Sequence, residues 1–212
     1  MSDALPDERP QRRREYSGPG STLGLAALIV LVVAAGIWYF EFRDGGGSGG
    51  SSSSAYGIES LPENLNSTGK SPAAREGRAA PNFRLASTTA GAAALTDYHG
   101  KWVLLNFWAS WCPPCRDETP DLQSFYEHNG NRSLVILGVN QQEKVDAAQS
   151  FLQEFGVTYP VVLDSDGEVS GAYGVGRGMP ISFLIAPSGV IEKVYFGRLS
   201  EASFNEIAGR LQ

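Results

Sequence analysis

Two hundred and twelve residues, 42% hydrophobic and 19% charged, allow one or two globular domains. A net charge of −6 with no basic stripe argues against nucleic acid as a partner. The only cysteines are Cys112 and Cys115, which excludes a framework of several structural bridges, and their C-x-x-C spacing leaves redox or metal chemistry.

Residues 1–22 are polar, rich in Pro and Arg and without apolar periodicity, which predicts a disordered tail. Leu23 to Phe40 then runs for eighteen residues without a charge, about 27 Å as a helix and enough for a bilayer core. A cleaved signal peptide is the competing reading, but its apolar part is usually about 7–15 residues. Here no small-x-small site precedes the next charged residues, and Trp38, Tyr39 and Phe40 suit a lipid–water interface. The expectation is therefore an uncleaved transmembrane anchor over 23–40. Arg9, Arg12, Arg13 and Arg14 precede it and only Arg43 follows closely, so the positive-inside rule keeps the N-terminus cytoplasmic and exports the rest. The protein is expected in the cell membrane, single-pass, with its bulk extracytoplasmic. Residues 41–80 begin with a Gly/Ser tract and stay rich in Ser, Pro, Asn and Ala, which reads as a flexible linker.

Residues 81–212 read as one α/β domain. Weak strands over 82–87 and 92–95 suggest a hairpin. The continuous apolar run 102–108 predicts a strand buried on both faces. A helix follows over 112–128, with Cys115, Glu118, Leu122, Phe125 and Tyr126 sharing a face. A second buried strand covers 134–140. The helix 143–155 is expected to turn Val145, Ala148, Leu152 and Phe155 inward. A short strand at 160–163 and a short helix at 166–173 come next. Strands 181–186 and 190–196 flank the turn Pro187-Ser188-Gly189, and Ser200 is placed to cap a last helix. Helices between strands, then a hairpin, imply a mixed central sheet flanked by helices.

A strand ending at Trp108 and a helix beginning near Cys112 place the first cysteine, exposed, at a helix N-terminus. Free N–H groups and the helix dipole there favour a thiolate. Cys112 is thus read as the attacking thiolate and Cys115, one turn in, as the resolving thiol. Glu118 shares the face of Cys115 and is a candidate acceptor for its proton, although an acid in the first turns also simply complements the dipole. Zinc is disfavoured because His99 and His128, the only histidines, are not at ligand spacing. A copper carrier would want a longer cysteine spacing and a paired histidine, and a peroxiredoxin a lone cysteine. No metal or cofactor is expected.

FWASWCPPC (107–115) and GMPISFLIAPSG (178–189) resemble the two signatures of the thioredoxin superfamily. The likeness is greatest to its membrane-anchored group typified by TlpA, ResA and CcmG, with LGVN (137–140) and FGVTYPVVLDSDGEVSGAYGV (155–175) adding to it. The resemblance implies a thioredoxin-like fold with the central insertion of that group and a redox-active Cys112–Cys115 disulfide. It further implies a cis bond at Pro180, with Met179 pairing its backbone to substrate. Trp108 and Trp111 would flank the site, Pro120 would kink the first helix, and Glu118 would lie near the cysteines. Asn106 stands where plain thioredoxins carry a buried acid. The implied activity is thiol–disulfide oxidoreduction, as a reductase of specific protein disulfides such as apocytochrome c, resupplied by a membrane thiol electron donor. A general oxidant or isomerase of exported proteins, and a non-enzymatic metal-carrying module, are the alternatives.

Overall fold

Strand β4 (Trp102–Trp108) lies inside the sheet and carries the run that leads to the cysteines. The computed structural model describes residues 28, 31, 56–89, 91–130, 134–176 and 178–211. The other strands are β1 (Gly57–Glu59), β2 (Asn82–Ser87), β3 (Ala92–Ala94), β5 (Leu134–Gln141), β6 (Val161–Asp164), β7 (Ile181–Ile185) and β8 (Ile191–Phe196). The helices are α1 (Pro113–Asn129), α2 (Val145–Phe155), α3 (Glu168–Ala172) and α4 (Glu201–Arg210). The sheet order is β1-β2-β6-β5-β4-β7-β8, with β3 paired to β2. β4 runs parallel to β5 and antiparallel to β7, so the sheet is mixed and the fold is thioredoxin-like, as expected. The hairpins β2–β3 and β7–β8 also form where the sequence places them.

The anchor expected over 23–40 lies outside the described residues except at 28 and 31. Among the described residues no helix is long and apolar enough to cross a membrane.

The core explains why β4 reads as one continuous apolar run. Leu104, Leu105 and Phe107 are fully buried, and on one face Phe107 meets Tyr173 at 5.1 Å and Phe183 at 5.9 Å between ring centroids. Each such aromatic pair adds about 0.5–1.5 kcal/mol beyond the area it buries. Trp108, expected to flank the site, stacks on Phe151 at 4.4 Å and is a core residue. That stacking also turns α2 from its expected orientation. Phe151 and Ala148 are buried, Leu152 and Phe155 half-buried, and Val145, the first helical residue, is exposed.

Residues 56–80 depart from the linker reading. β1 pairs with β2, a turn of 3-10 helix covers Glu63–Leu65, and Ala79 bridges to Val190. Ala79 and Ala80 are buried. Low apolar content hides this order, because the segment is held by backbone pairing to strands far along the chain, as in Ile191 N–H to Arg78 O at 2.9 Å.

Two side chains hold helix starts, and the cap at Ser200 is the one the sequence places. Ser200 Oγ accepts the Ser203 N–H at 3.2 Å at the start of α4. The buried carboxylate of Asp164 accepts the Val169 and Ser170 N–H groups at 3.2 and 2.7 Å and holds the start of α3.

Gly138, paired with Asn106 in β5, has no room for a side chain. A Cβ there would lie 3.0 Å from Trp108 Nε1 and 3.0 Å from Val161 Cγ2. Gly138→Ala should cost about 1–3 kcal/mol through overpacking, read as a lower urea midpoint. An unchanged midpoint would mean that Trp108 yields at no cost.

Candidate active site

The loop Ala109–Trp111 carries the chain from the end of β4 to the start of α1. Glu143, just beyond β5, holds it. One oxygen accepts the Ser110 N–H at 2.7 Å, the other accepts from Ser110 Oγ at 2.5 Å, and Asn140 Nδ2 donates to the first at 2.6 Å. Nothing in the sequence marks Glu143 or Ser110 for this, since the contact joins the ends of two parallel strands. On the outer side Arg116 pairs with Glu154 and lies 4.9 Å from the Phe155 ring centroid.

Cys112 caps α1, and Pro113 and Pro114 fill its first two positions, where a missing N–H removes no helix bond. Cys112 and Cys115 are joined in a disulfide, with Cα atoms 5.3 Å apart. The Cys112 sulfur accepts the Cys115 N–H at 3.3 Å, one of the free donors of the helix start. The other side of that sulfur meets the Met179 carbonyl oxygen at 3.6 Å. The Met179–Pro180 bond is cis, as the resemblance implies.

The expected exposure of Cys112 is corrected here. Its residue is 4% exposed and Cys115 only 1%. The loop ending in Pro180 reaches the helix start and sets the Met179 carbonyl against the Cys112 sulfur, a long-range contact that helix-terminus reasoning does not include. Met179 and Pro180 are buried, and Trp111 is 64% exposed at the margin.

Glu118 lies three residues beyond Cys115 on the inner face of α1 and is 1% exposed. Its carboxylate has two partners. Oε1 accepts the Leu199 N–H at 2.6 Å, and Oε2 accepts from Asn106 Nδ2 at 3.2 Å. The same Asn106 amide donates to Ser182 Oγ at 2.9 Å. Asn106 and Ser182 face each other across β4 and β7, so the network joins α1, the sheet and the turn before α4. Burial raises the carboxyl from its ordinary 4.5 to about 7, against the opposing pull of the Leu199 and Asn106 donors and of Arg198. Arg198 in turn pairs with Asp121 at 2.7 Å at the surface. Ser182 and Leu199 were not singled out in the sequence, because one is an ordinary strand residue and the other acts only through its backbone.

A groove of about 730 Å³ lies between α1 and α4, away from the disulfide. Among the described residues no three metal-ligating side chains gather. The arrangement can therefore do thiol exchange at a helix N-terminus, with a buried carboxyl titrating near neutrality one turn away.

The AhpC/TSA family model matches residues 77–194. The thiol-disulfide oxidoreductase ResA of Bacillus subtilis (strain 168) is 40% identical over 131 residues, covering 62% of this chain and 73% of that protein. ResA of Geobacillus thermodenitrificans is 37% identical over 130 residues, covering 61% and 74%. Among solved structures, a putative thiol:disulfide interchange protein DsbE from Chlorobium tepidum superposes with a TM-score of 0.61 at 33% identity, covering 65% of this chain and 99% of that one. StoA from Bacillus subtilis superposes with a TM-score of 0.53 at 31% identity, covering 60% and 96%. The chain belongs to the AhpC/TSA family and, within it, to the thioredoxin-like thiol–disulfide oxidoreductases of the ResA type.

Proposed function

We propose that the protein is a membrane-tethered, extracytoplasmic reductase of specific protein disulfides, such as that of apocytochrome c. The observation that carries the reading is the placement of the Cys112 sulfur between the helix start and the Met179 carbonyl. A segment pairing with the Met179 backbone would bring its own disulfide to that sulfur. The domain division follows the sequence, with a tail over 1–22, an anchor over 23–40 and the redox domain toward the C-terminus. The linker over 41–80 is kept only up to residue 55, since β1 begins soon after.

In the reduced protein the Cys112 thiolate attacks one sulfur of the substrate disulfide. A Cys112–substrate bond forms, the substrate S–S bond breaks, and its second sulfur leaves as a thiolate. Cys115 then gives its proton to the Glu118 carboxylate and attacks the Cys112 sulfur. The Cys112–Cys115 bond forms and the substrate's first sulfur leaves. The substrate gains two electrons and the protein loses two, which a membrane thiol donor restores. Trp111, Met179 and Pro180 form the surface that the substrate meets. Burial of the Cys112 residue allows access only along this surface, which favours selected partners over general ones.

Cys112→Ser should abolish the reduction of insulin by dithiothreitol that the parent catalyses. Surviving activity would sink the mechanism. A reductase also requires a reduction potential well below about −120 mV, the range of strong oxidants, and a measured value near that figure would support the oxidant alternative instead.

Glu118 accepts a proton only when ionised, so exchange should speed up as pH rises through about 7. Glu118→Gln should flatten that rise, and an identical rate profile would remove its role. Stability runs the opposite way. Between 4.5 and 7 the folded chain holds a proton that the unfolded chain has released, so stability falls as pH rises. The loss amounts to about 3 kcal/mol at most. Urea midpoints of the oxidised parent should drop from pH 5 to pH 8, and that slope should shrink in Glu118→Gln.

A further inference from the structure

The edge strand β8 is covered at its start and open at its last residue, next to the one that bonds Pro180. Ile191 exchanges backbone hydrogen bonds with Gly77 and Arg78, and the Val194 N–H donates to Glu76 Oε1 at 3.1 Å. Gly197 N–H donates to Pro180 O at 2.9 Å, which makes that pair a hydrogen-bonded one. Antiparallel pairs alternate, so the next pair, Phe196 and Ile181, turns its N–H and C=O groups away from each other. Both backbone groups of Phe196 therefore face the open edge, and no described residue pairs with them. Its side chain is 80% exposed, the highest value for a large apolar residue among those described.

The side chain stands at one end of a groove of about 420 Å³. Ile181 and Phe183 on β7 oppose Phe196 and Val194 on β8, so all four point to one face of the sheet. Tyr173 closes the floor, and Arg75 and Glu76, of opposite charge, stand at the rim. With the rim charges cancelling, the groove selects on apolar area. It lies on the sheet face opposite Ser182, and its Phe196 end reaches the loop that carries Met179 and Pro180, because Gly197, the next residue, donates to Pro180 O.

We propose that Phe196 is a specificity residue, and that the groove takes a bulky apolar side chain of the substrate polypeptide, two to four residues from the cysteine attacked. The substrate strand extends past Met179 and pairs with the Phe196 backbone. This rests on Cys112 being the group that meets the substrate.

The test uses the full-length reduced chain and extended peptides whose single cysteine is disulfide-bonded to glutathione. The peptides differ only in carrying Phe or Ser three residues from that cysteine. In each reaction the protein dithiol becomes a disulfide, and peptide thiol and glutathione are released. The parent should react about tenfold faster with the Phe peptide, the scale of burying part of one large side chain. Phe196→Ser should bring the two peptide rates together and leave the urea midpoint of the oxidised chain unchanged. Because Phe196 is exposed, the variant keeps the fold. A preference that survives in Phe196→Ser, or none in the parent, overturns the proposal. So does a change in oligomeric state on Phe196→Ser with the preference intact, which assigns the groove to a second copy. Failure of the parent to react with glutathione disulfide would instead sink the redox reading itself.

Discussion

A carboxyl group taken almost wholly out of water has to be held by something, and at Glu118 three separate parts of the chain do it. Helix α1 supplies the acid, β4 supplies the Asn106 donor, and the turn after β8 supplies the Leu199 N–H. Two hydrogen bonds to the charged form lower a pKa, yet burial wins and the group titrates near 7. The balance means that α1 cannot shift along the sheet, nor the turn at Leu199 away from it, without changing the proton affinity of a group one turn from the disulfide.

The sheet order makes this possible. β4 lies between β5 and β7, and each neighbour delivers one contact to the region where β4 ends. β5 leads into Glu143, which grips the loop at Ser110. β7 starts from Pro180, and the carbonyl before it meets the Cys112 sulfur. The sulfur is thus fixed from two sides by backbone whose position is set by strand pairing. On the proposed function a partner reaches that sulfur by laying an extended segment along the same edge, which would connect the pleat of the sheet to the choice of substrate.

Local chemistry was legible in the residues, and long-range cover was not. The apolar run of β4, the two prolines that suit a helix start and the Ser200 cap each depend on neighbours in sequence, and each forms as read. Glu118 could be placed on the inner face of α1 by spacing alone. The burial of Cys112 could not, because a loop more than sixty residues away covers it. The order in 56–80 escaped for the same reason. Its residues are small and polar, and what fixes them is backbone pairing to β2 and to the start of β8. Val145 was expected inward because its period fits, but the stacking of Phe151 on Trp108 sets the rotation of α2.

The same distinction bears on Asn106. Taken by itself, an amide in the middle of a buried strand looks like the loss of a proton acceptor. Beside Glu118 it becomes the condition for having one. An aspartate at that position would set two carboxyl groups within hydrogen-bond reach in a site that already disfavours one charge, and like charges so placed push one pKa far upward. It would also supply none of the N–H donors now shared between Glu118 and Ser182. The amide therefore leaves the helix as the source of the titrating group and turns the strand into its support. Moving the acid from strand to helix ties its proton affinity to the turn at Leu199, which leads from β8 into α4 just beyond Phe196. The backbone donor that holds the proposed proton acceptor and the proposed substrate contact thus lie on one short stretch of chain.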